Sequence, residues 1–183
     1  GRRARFRLIG VRADDRVLYA GEGQPILDEP VAQDLRKRLL YDLATAPSPA
    51  SGRLTVRLRT PLKLTSVDPD DASLPFPVLI RETLGRIASL CHAFGNGAPA
   101  LDGPRLMETA SSVRTLSGTL RPFDSSPAAP RQGREMMRGA RTGEATYVGP
   151  LAVFIPLLRF VEQVHLGEET LFGLGRIELV PPV

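Results

Sequence analysis

Between Arg53 and Leu64 the side chains alternate, with Leu54, Val56 and Leu58 set against Thr55, Arg57 and Arg59. A period of two predicts a strand with one buried face, and Pro61 places its far end at an edge or a bulge. The period then changes. Over residues 75–94, Val78, Leu79, Ile87, Leu90 and Phe94 fall on or near one face of a helix. Residues 105–123 are long and weakly apolar, predicting a strand with Gly118 as its bulge. Another strand is predicted at 144–149. Residues 150–167 predict a helix opened by Pro150 and closed by Gly167, with Pro156 either kinking it or marking its true start. Residues 171–180 predict the last strand. The order strand–helix–strand–strand–helix–strand over 53–183 predicts an α+β class, a ferredoxin-like (RRM-like) βαββαβ domain. Such a domain has an antiparallel sheet with two helices on one face.

Ahead of it, residues 4–12 alternate basic and apolar side chains, 13–16 carry turn residues, and 17–22 return as a second strand, which predicts a hairpin. Residues 28–46 predict a helix, with Pro30 in its first turn and Val31, Leu35, Leu39 and Leu43 every four residues. Residues 47–52, rich in proline and serine, predict a linker between 1–46 and 53–183. A hairpin and a helix are not a whole domain. Residues 1–46 therefore read as the remnant of a first ferredoxin-like half, truncated at its front.

Composition narrows the function. With 42% hydrophobic and 24% charged residues, wholesale disorder is excluded. No apolar run reaches the roughly 18 residues of a membrane span, and no signal-peptide pattern opens the chain, so a cytoplasmic location is expected. Cys91 is the only cysteine, and the neighbours Cys91 and His92 cannot assemble a zinc site alone, so neither a metal nor a cofactor is expected. Tryptophan is absent and aromatics are 5%, which disfavours a base-stacking platform. The net charge is +4, and the cation is almost always arginine, since lysine occurs only at Lys37 and Lys63. Arginine's planar fork suits phosphate, although a GC-rich genome also favours arginine. No P-loop, dinucleotide fingerprint or nucleophile elbow is present.

Four features carry candidate chemistry. His92, beside Leu90, Cys91 and Phe94, reads as structural. His165 falls in the last turn of the second helix, where an imidazolium complements the helix dipole or serves as an acid or base. The connection "PRQGREMMRGART" sets Arg131, Arg134, Arg138 and Arg141 against Glu135, with Gly133, Gly139 and Gly143 allowing close backbone approach. Gly167, Gly173 and Gly175 precede the last strand, as a plain turn or as a concavity of N–H groups for an anion. Asp68, Asp70 and Asp71 read as a solvated loop, and Tyr147 as a packed strand residue.

Taken together, "LTVRLRTPLKL", "LPFPVLIRETLGRIASLCHAFG", "PRQGREMMRGARTGEATYVGPL" and "LLRFVEQVHLGEETLFGLGRIEL" resemble the C-terminal region of CRISPR-associated repeat-processing endoribonucleases. These belong to the RAMP superfamily of ferredoxin-like RNA-binding proteins. The terminal "HLGEETLFGLGRIEL" is the most specific element, similar to the superfamily's glycine-rich loop. The resemblance implies metal-independent cleavage of precursor CRISPR RNA within its repeat, by 2′-hydroxyl attack that leaves a 2′,3′-cyclic phosphate. It implies His165 as acid or base. It also implies Arg131, Gln132, Arg134, Arg138, Gly167, Gly173, Gly175 and Arg176 as RNA contacts. The partners it implies are CRISPR repeat RNA and other CRISPR-associated proteins; the hairpin at 4–22, with an edge that invites pairing, is expected to pair with the main domain or with a second copy of the chain. The alternative is a non-catalytic RAMP subunit that holds guide RNA.

Overall fold

The computed structural model describes residues 9–13, 16–21, 23, 34–45, 51–65, 68, 71, 73–95, 97–123 and 135–180. The chain divides into two compact units, Gly1–Asp34 and Leu35–Val183. In the first, β1 (Val11–Ala13) and β2 (Arg16–Tyr19) pair as an antiparallel hairpin, inside the range the alternation marks. The division does not coincide with the expected linker at 47–52. Helix α1 (Leu35–Ala44) lies in the second unit, and residues 51 and 52 already belong to a strand. Of the four leucine and valine positions that predict α1, Leu39 is buried while Leu35 and Leu43 pack against the core; Val31 lies outside the described residues.

In the second unit β3 (Ser51–Leu62) is the axis of the sheet. It pairs antiparallel with β6 (Arg141–Pro150) on one side and with β7 (Ile177–Val180) on the other. β4 (Arg114–Gly118) and β5 (Arg121–Pro122) pair with β6, giving a five-stranded sheet in the order β4–β6–β3–β7. With β4 and β5 sharing the second place, this is the 4-1-3-2 order of a ferredoxin-like sheet. The alternation in β3 does what its period predicts: Leu54, Val56 and Leu58 are buried, and Arg57 and Arg59 stand on the other face.

Helix α2 (Phe76–Phe94) starts with Pro75 at its cap and Pro77 in its first turn, and buries Leu79, Ile80, Thr83 and Ile87 on one face. Phe94 does not extend that face; it is 86% exposed at the helix end. The second sheet-covering helix, α4 (Ile155–Val164), is shorter than 150–167. Pro150 remains in β6, a 3-10 turn spans Ala152–Phe154, and Pro156 sits in the first turn of the α-helix, where its missing N–H costs nothing. Pro156 therefore marks the start rather than a kink.

Residues 105–123 differ most from expectation. Gly103–Ser111 form a helix, α3, whose N-cap Asp102 accepts from Arg105 N at 3.1 Å, with Pro104 in the first turn. Only then do β4 and β5 follow, both exposed throughout. The register slips between Thr115 and Ser117, so the bulge precedes Gly118. The last strand is also shorter than 171–180, because Thr170–Phe172 make a 3-10 turn.

The core centres on Phe76, whose ring meets those of Tyr147 and Phe154 edge-on at 4.9 and 5.1 Å. Tyr147 is fully buried and donates its hydroxyl to Leu74 O at 2.7 Å. Burial raises its ionisation well above the ordinary tyrosine range. Tyr147→Phe leaves the Leu74 carbonyl unpaired and is expected to cost about 1–3 kcal/mol of stability, measured by urea unfolding. Among the described residues no helix is long and apolar enough to cross a membrane.

Candidate functional site

The C-terminus of α4 and the start of β7 meet beside the end of β3. Arg59 N and Thr60 N both donate to Arg176 O, at 2.8 and 3.3 Å, and Arg176 N donates to Thr60 Oγ1 at 2.9 Å. This ladder extension places Arg59 next to Arg176. Together with Glu162, Gln163, His165, Ile177 and Glu178 they line an open cleft of about 380 Å³. His165 and Arg176, singled out from the sequence, are thus brought together. Arg59 was not singled out, because its place beside Arg176 depends on strand pairing rather than on local pattern.

His165 ends α4 with φ 61° and ψ 156°. That backbone region is essentially reserved for glycine and costs about 1–3 kcal/mol for other residues. Its ring lies with Nδ1 3.0 Å from Leu174 O. A carbonyl only accepts, so Nδ1 carries the proton of the neutral imidazole, and Nε2 is left with its lone pair.

The glycine loop is tightly tied. Leu166 N donates to Gly175 O at 2.8 Å, Gly175 N to Pro61 O at 2.9 Å, Glu168 N to Lys63 O at 2.9 Å and Gly173 N to Thr170 O at 3.0 Å. The N–H groups of Gly173 and Gly175 are therefore spent on carbonyls, which corrects the expectation that they form an anion-binding concavity. Gly167 (φ 81°) and Gly175 (φ 75°) are required by packing, since a Cβ would run into Lys63 O and Leu166 O respectively. Gly173 (φ 83°) differs: nothing lies within 4 Å of where its Cβ would stand. Beside it, Leu171 and Phe172 are 97% and 68% exposed.

Of the arginine-rich connection, Arg131, Gln132 and Arg134 lie outside the described residues. Arg138 is exposed, in a turn closed by its N–H to Glu135 O at 3.2 Å. Lys63 joins this connection to the glycine loop: its Nζ donates to Met136 O at 3.2 Å and pairs with Glu168 at 3.7 Å. Arg141, expected with the cluster, is 1% exposed and donates to Ser73 O at 2.6 Å, a structural role. Burial lowers its pKa, opposed by the charge of Asp71. Asp71 itself accepts from Ser73 N and Oγ, which hold its carboxyl below the usual range.

At the centre of the sheet's open face the charges are paired. Arg57 stands in register with Glu144 on β6 and Glu178 on β7, at 3.0 and 3.5 Å. Glu144 first, then Glu178, raises the Arg57 pKa. The outward positions of β3, β6 and β7 hold no aromatic ring. Base stacking is not what this face offers, and at the cleft Arg59 and Arg176 are matched in number by Glu162 and Glu178. Among the described residues no group of His, Cys, Asp and Glu is placed to hold a metal ion.

A 4-1-3-2 sheet under two helices, with a glycine-rich loop leading into its last strand, is a ferredoxin-like domain. The pattern of the family described as CRISPR-associated endoribonuclease Cas6 matches residues 56–177, from β3 into β7, and the chain belongs to that family. No curated protein matches the sequence. Solved structures agree on the fold. A Cas6 product complex aligns with TM-score 0.51 and 19% identity, over 86% of this chain and 64% of that one. A Cas6 substrate-mimic complex aligns with TM-score 0.50 and 18% identity, over 78% of this chain and 57% of that one. A partial Cas6-RT-Cas1–Cas2 complex aligns with TM-score 0.58 and 13% identity, over 86% and 28%. The chain thus spans less than two thirds of the Cas6 chains it matches.

Proposed function

We propose that this chain is the C-terminal part of an endoribonuclease that cuts precursor CRISPR RNA within its repeat, in the cytoplasm and without a metal. The observation that carries this reading is the family match over residues 56–177. The cleft supports its chemistry. In such a reaction the 2′-oxygen attacks the adjacent phosphorus and the 5′-oxygen leaves, giving a 2′,3′-cyclic phosphate and a 5′-hydroxyl. A base must take the 2′-proton, an acid must protonate the 5′-oxygen, and cations must balance the phosphorane. His165 Nε2 supplies one proton-transfer role. Arg59 and Arg176 supply positive charge, and Arg131, Gln132, Arg134 and Arg138 extend the RNA contacts. Gly173 is the loop position that RNA backbone can approach. Other CRISPR-associated proteins and a second copy of the chain are proposed partners.

One observation favours a second reading, a RAMP subunit that holds guide RNA without cutting. Arg59 shares Glu178, at 3.7 Å, and the cleft offers a single imidazole where two proton transfers are needed. Incubating the intact protein with cognate repeat RNA in chelator decides between them. Cleavage with a 2′,3′-cyclic phosphate end is expected; binding without cleavage selects the second reading. Arg176→Gln is expected to lower the slope of log affinity against log salt by about one. RNA binding indifferent to salt overturns both.

A further inference from the structure

Arg86, in the middle of α2, reaches the far end of α4. Its Nη2 donates to Val164 O at 3.0 Å and to Thr170 Oγ1 at 3.1 Å, and its Nε donates to His165 O at 3.2 Å. Two of these acceptors are carbonyls at the end of a helix, which lack partners within the helix and carry its negative partial charge. The third lies beyond the bend at Gly167, at the start of the 3-10 turn. One guanidinium therefore grips both sides of the turn that carries His165. Lysine cannot replace it, because an ammonium is a point donor without the planar fork.

His165 needs such a grip. Its φ of 61° and ψ of 156° are costly for any residue with a Cβ, and such conformations persist only where surrounding bonds over-determine them. The surrounding bonds are the Arg86 contacts to the carbonyls of Val164 and His165, the Leu166 N–H to Gly175 O, and the ring's own bond to Leu174 O. The ring bond selects the tautomer, and it forms only while the backbone holds the ring over the returning loop.

Resting on the acid–base reading of His165 above, we propose that Arg86 is the positioning residue of this cleft: by clamping Val164, His165 and Thr170 it fixes the strained His165 so that Nε2 is its free nitrogen. Arg86 touches no reacting atom and acts through His165. Arg86 is neither part of the cleft lining nor in the arginine-rich connection, so its loss should leave phosphate contacts in place.

The test uses the intact protein with Arg86→Ala, Arg86→Lys and His165→Gly, read in two independent ways. Nitrogen-15 NMR of the imidazoles, with His165→Gly identifying the signal, is expected to show the Nδ1-protonated tautomer in the parent protein. Both Arg86 variants should show a mixture of tautomers. Single-turnover cleavage of repeat RNA should fall by up to about a hundredfold in Arg86→Ala, as for a misplaced catalytic group, with RNA affinity within about twofold. In a His165→Gly background Arg86→Ala should have no further effect on cleavage, as coupled residues require. If Arg86→Ala fails to fold, Arg86→Lys carries the same comparison. A tautomer unchanged in both variants overturns the proposal, as does an equal cleavage loss with and without His165. If His165→Gly cleaves like the parent, the acid–base assignment fails, and the tautomer spectrum alone decides the role of Arg86.

Discussion

Replacing His165 by glycine and by alanine is expected to abolish most RNA cleavage alike, yet to leave the glycine variant the more stable of the two. Loss of a positioned acid or base costs about 10²–10⁴ in rate, and both variants lose the imidazole completely. In stability they part. Both forfeit the bond from Nδ1 to Leu174 O, so that loss cancels in the comparison. Alanine keeps the Cβ and with it the strain at φ 61°, about 1–3 kcal/mol. Glycine removes the strain but gives the unfolded chain more freedom, which takes back roughly 0.5–1 kcal/mol. The balance favours glycine by about 1 kcal/mol, or roughly 2–4 °C in melting temperature for a chain of this size. Urea unfolding and single-turnover cleavage of the two variants provide the check. An alanine variant as stable as the glycine one would show that no strain is held at 165. Undiminished cleavage in both would remove His165 from the chemistry. A histidine kept where glycine is easier is a local rule broken, and such departures concentrate at functional sites.

What was legible in the sequence follows the strength of each period. β3 and α2 stand within about two residues of their expected limits, as strict alternation and a continuous apolar face allow. α3 was hidden because only Leu106 and Ala110 of its nine residues are buried, too few to write a helical stripe among serine and threonine. At the cleft, His165 and Arg176 were legible as residue types near a glycine loop. Arg59 and Arg86 were not. Thr60 bonds to a partner 116 positions away and Arg86 to one 79 away, so their roles arise from strand register and helix packing, which no local pattern carries. The glycines were legible as a group but not one by one, since what separates them is the backbone each one meets.

That separation predicts opposite outcomes within a single loop. Gly173→Ala is expected to keep the fold, costing only the about 1–2 kcal/mol of a left-handed alanine, because open space surrounds its Cβ position. Its expected loss is in RNA affinity, as a methyl group would stand where backbone approaches. Gly175→Ala carries the same φ penalty and a collision as well. The new Cβ would strike the Leu166 carbonyl oxygen, and it would lie 2.8 Å from Leu166 C and 3.0 Å from Leu166 N. These are backbone atoms, so no rotamer change relieves them. Relief requires parting Leu166 N from Gly175 O, which closes the loop on itself, and Gly175 N from Pro61 O, which ties it to the end of β3. Two backbone hydrogen bonds broken in a half-buried setting, with the strain, place the cost at about 4 kcal/mol or more, in the range reserved for severe lesions. Urea unfolding should show Gly175→Ala far below Gly173→Ala. RNA titration at fixed salt should show Gly173→Ala weakened while still folded. Equal stability of the two variants would mean that the loop does not close on β3 through Gly175, and unchanged RNA affinity in Gly173→Ala would mean that RNA does not pass the loop's open side.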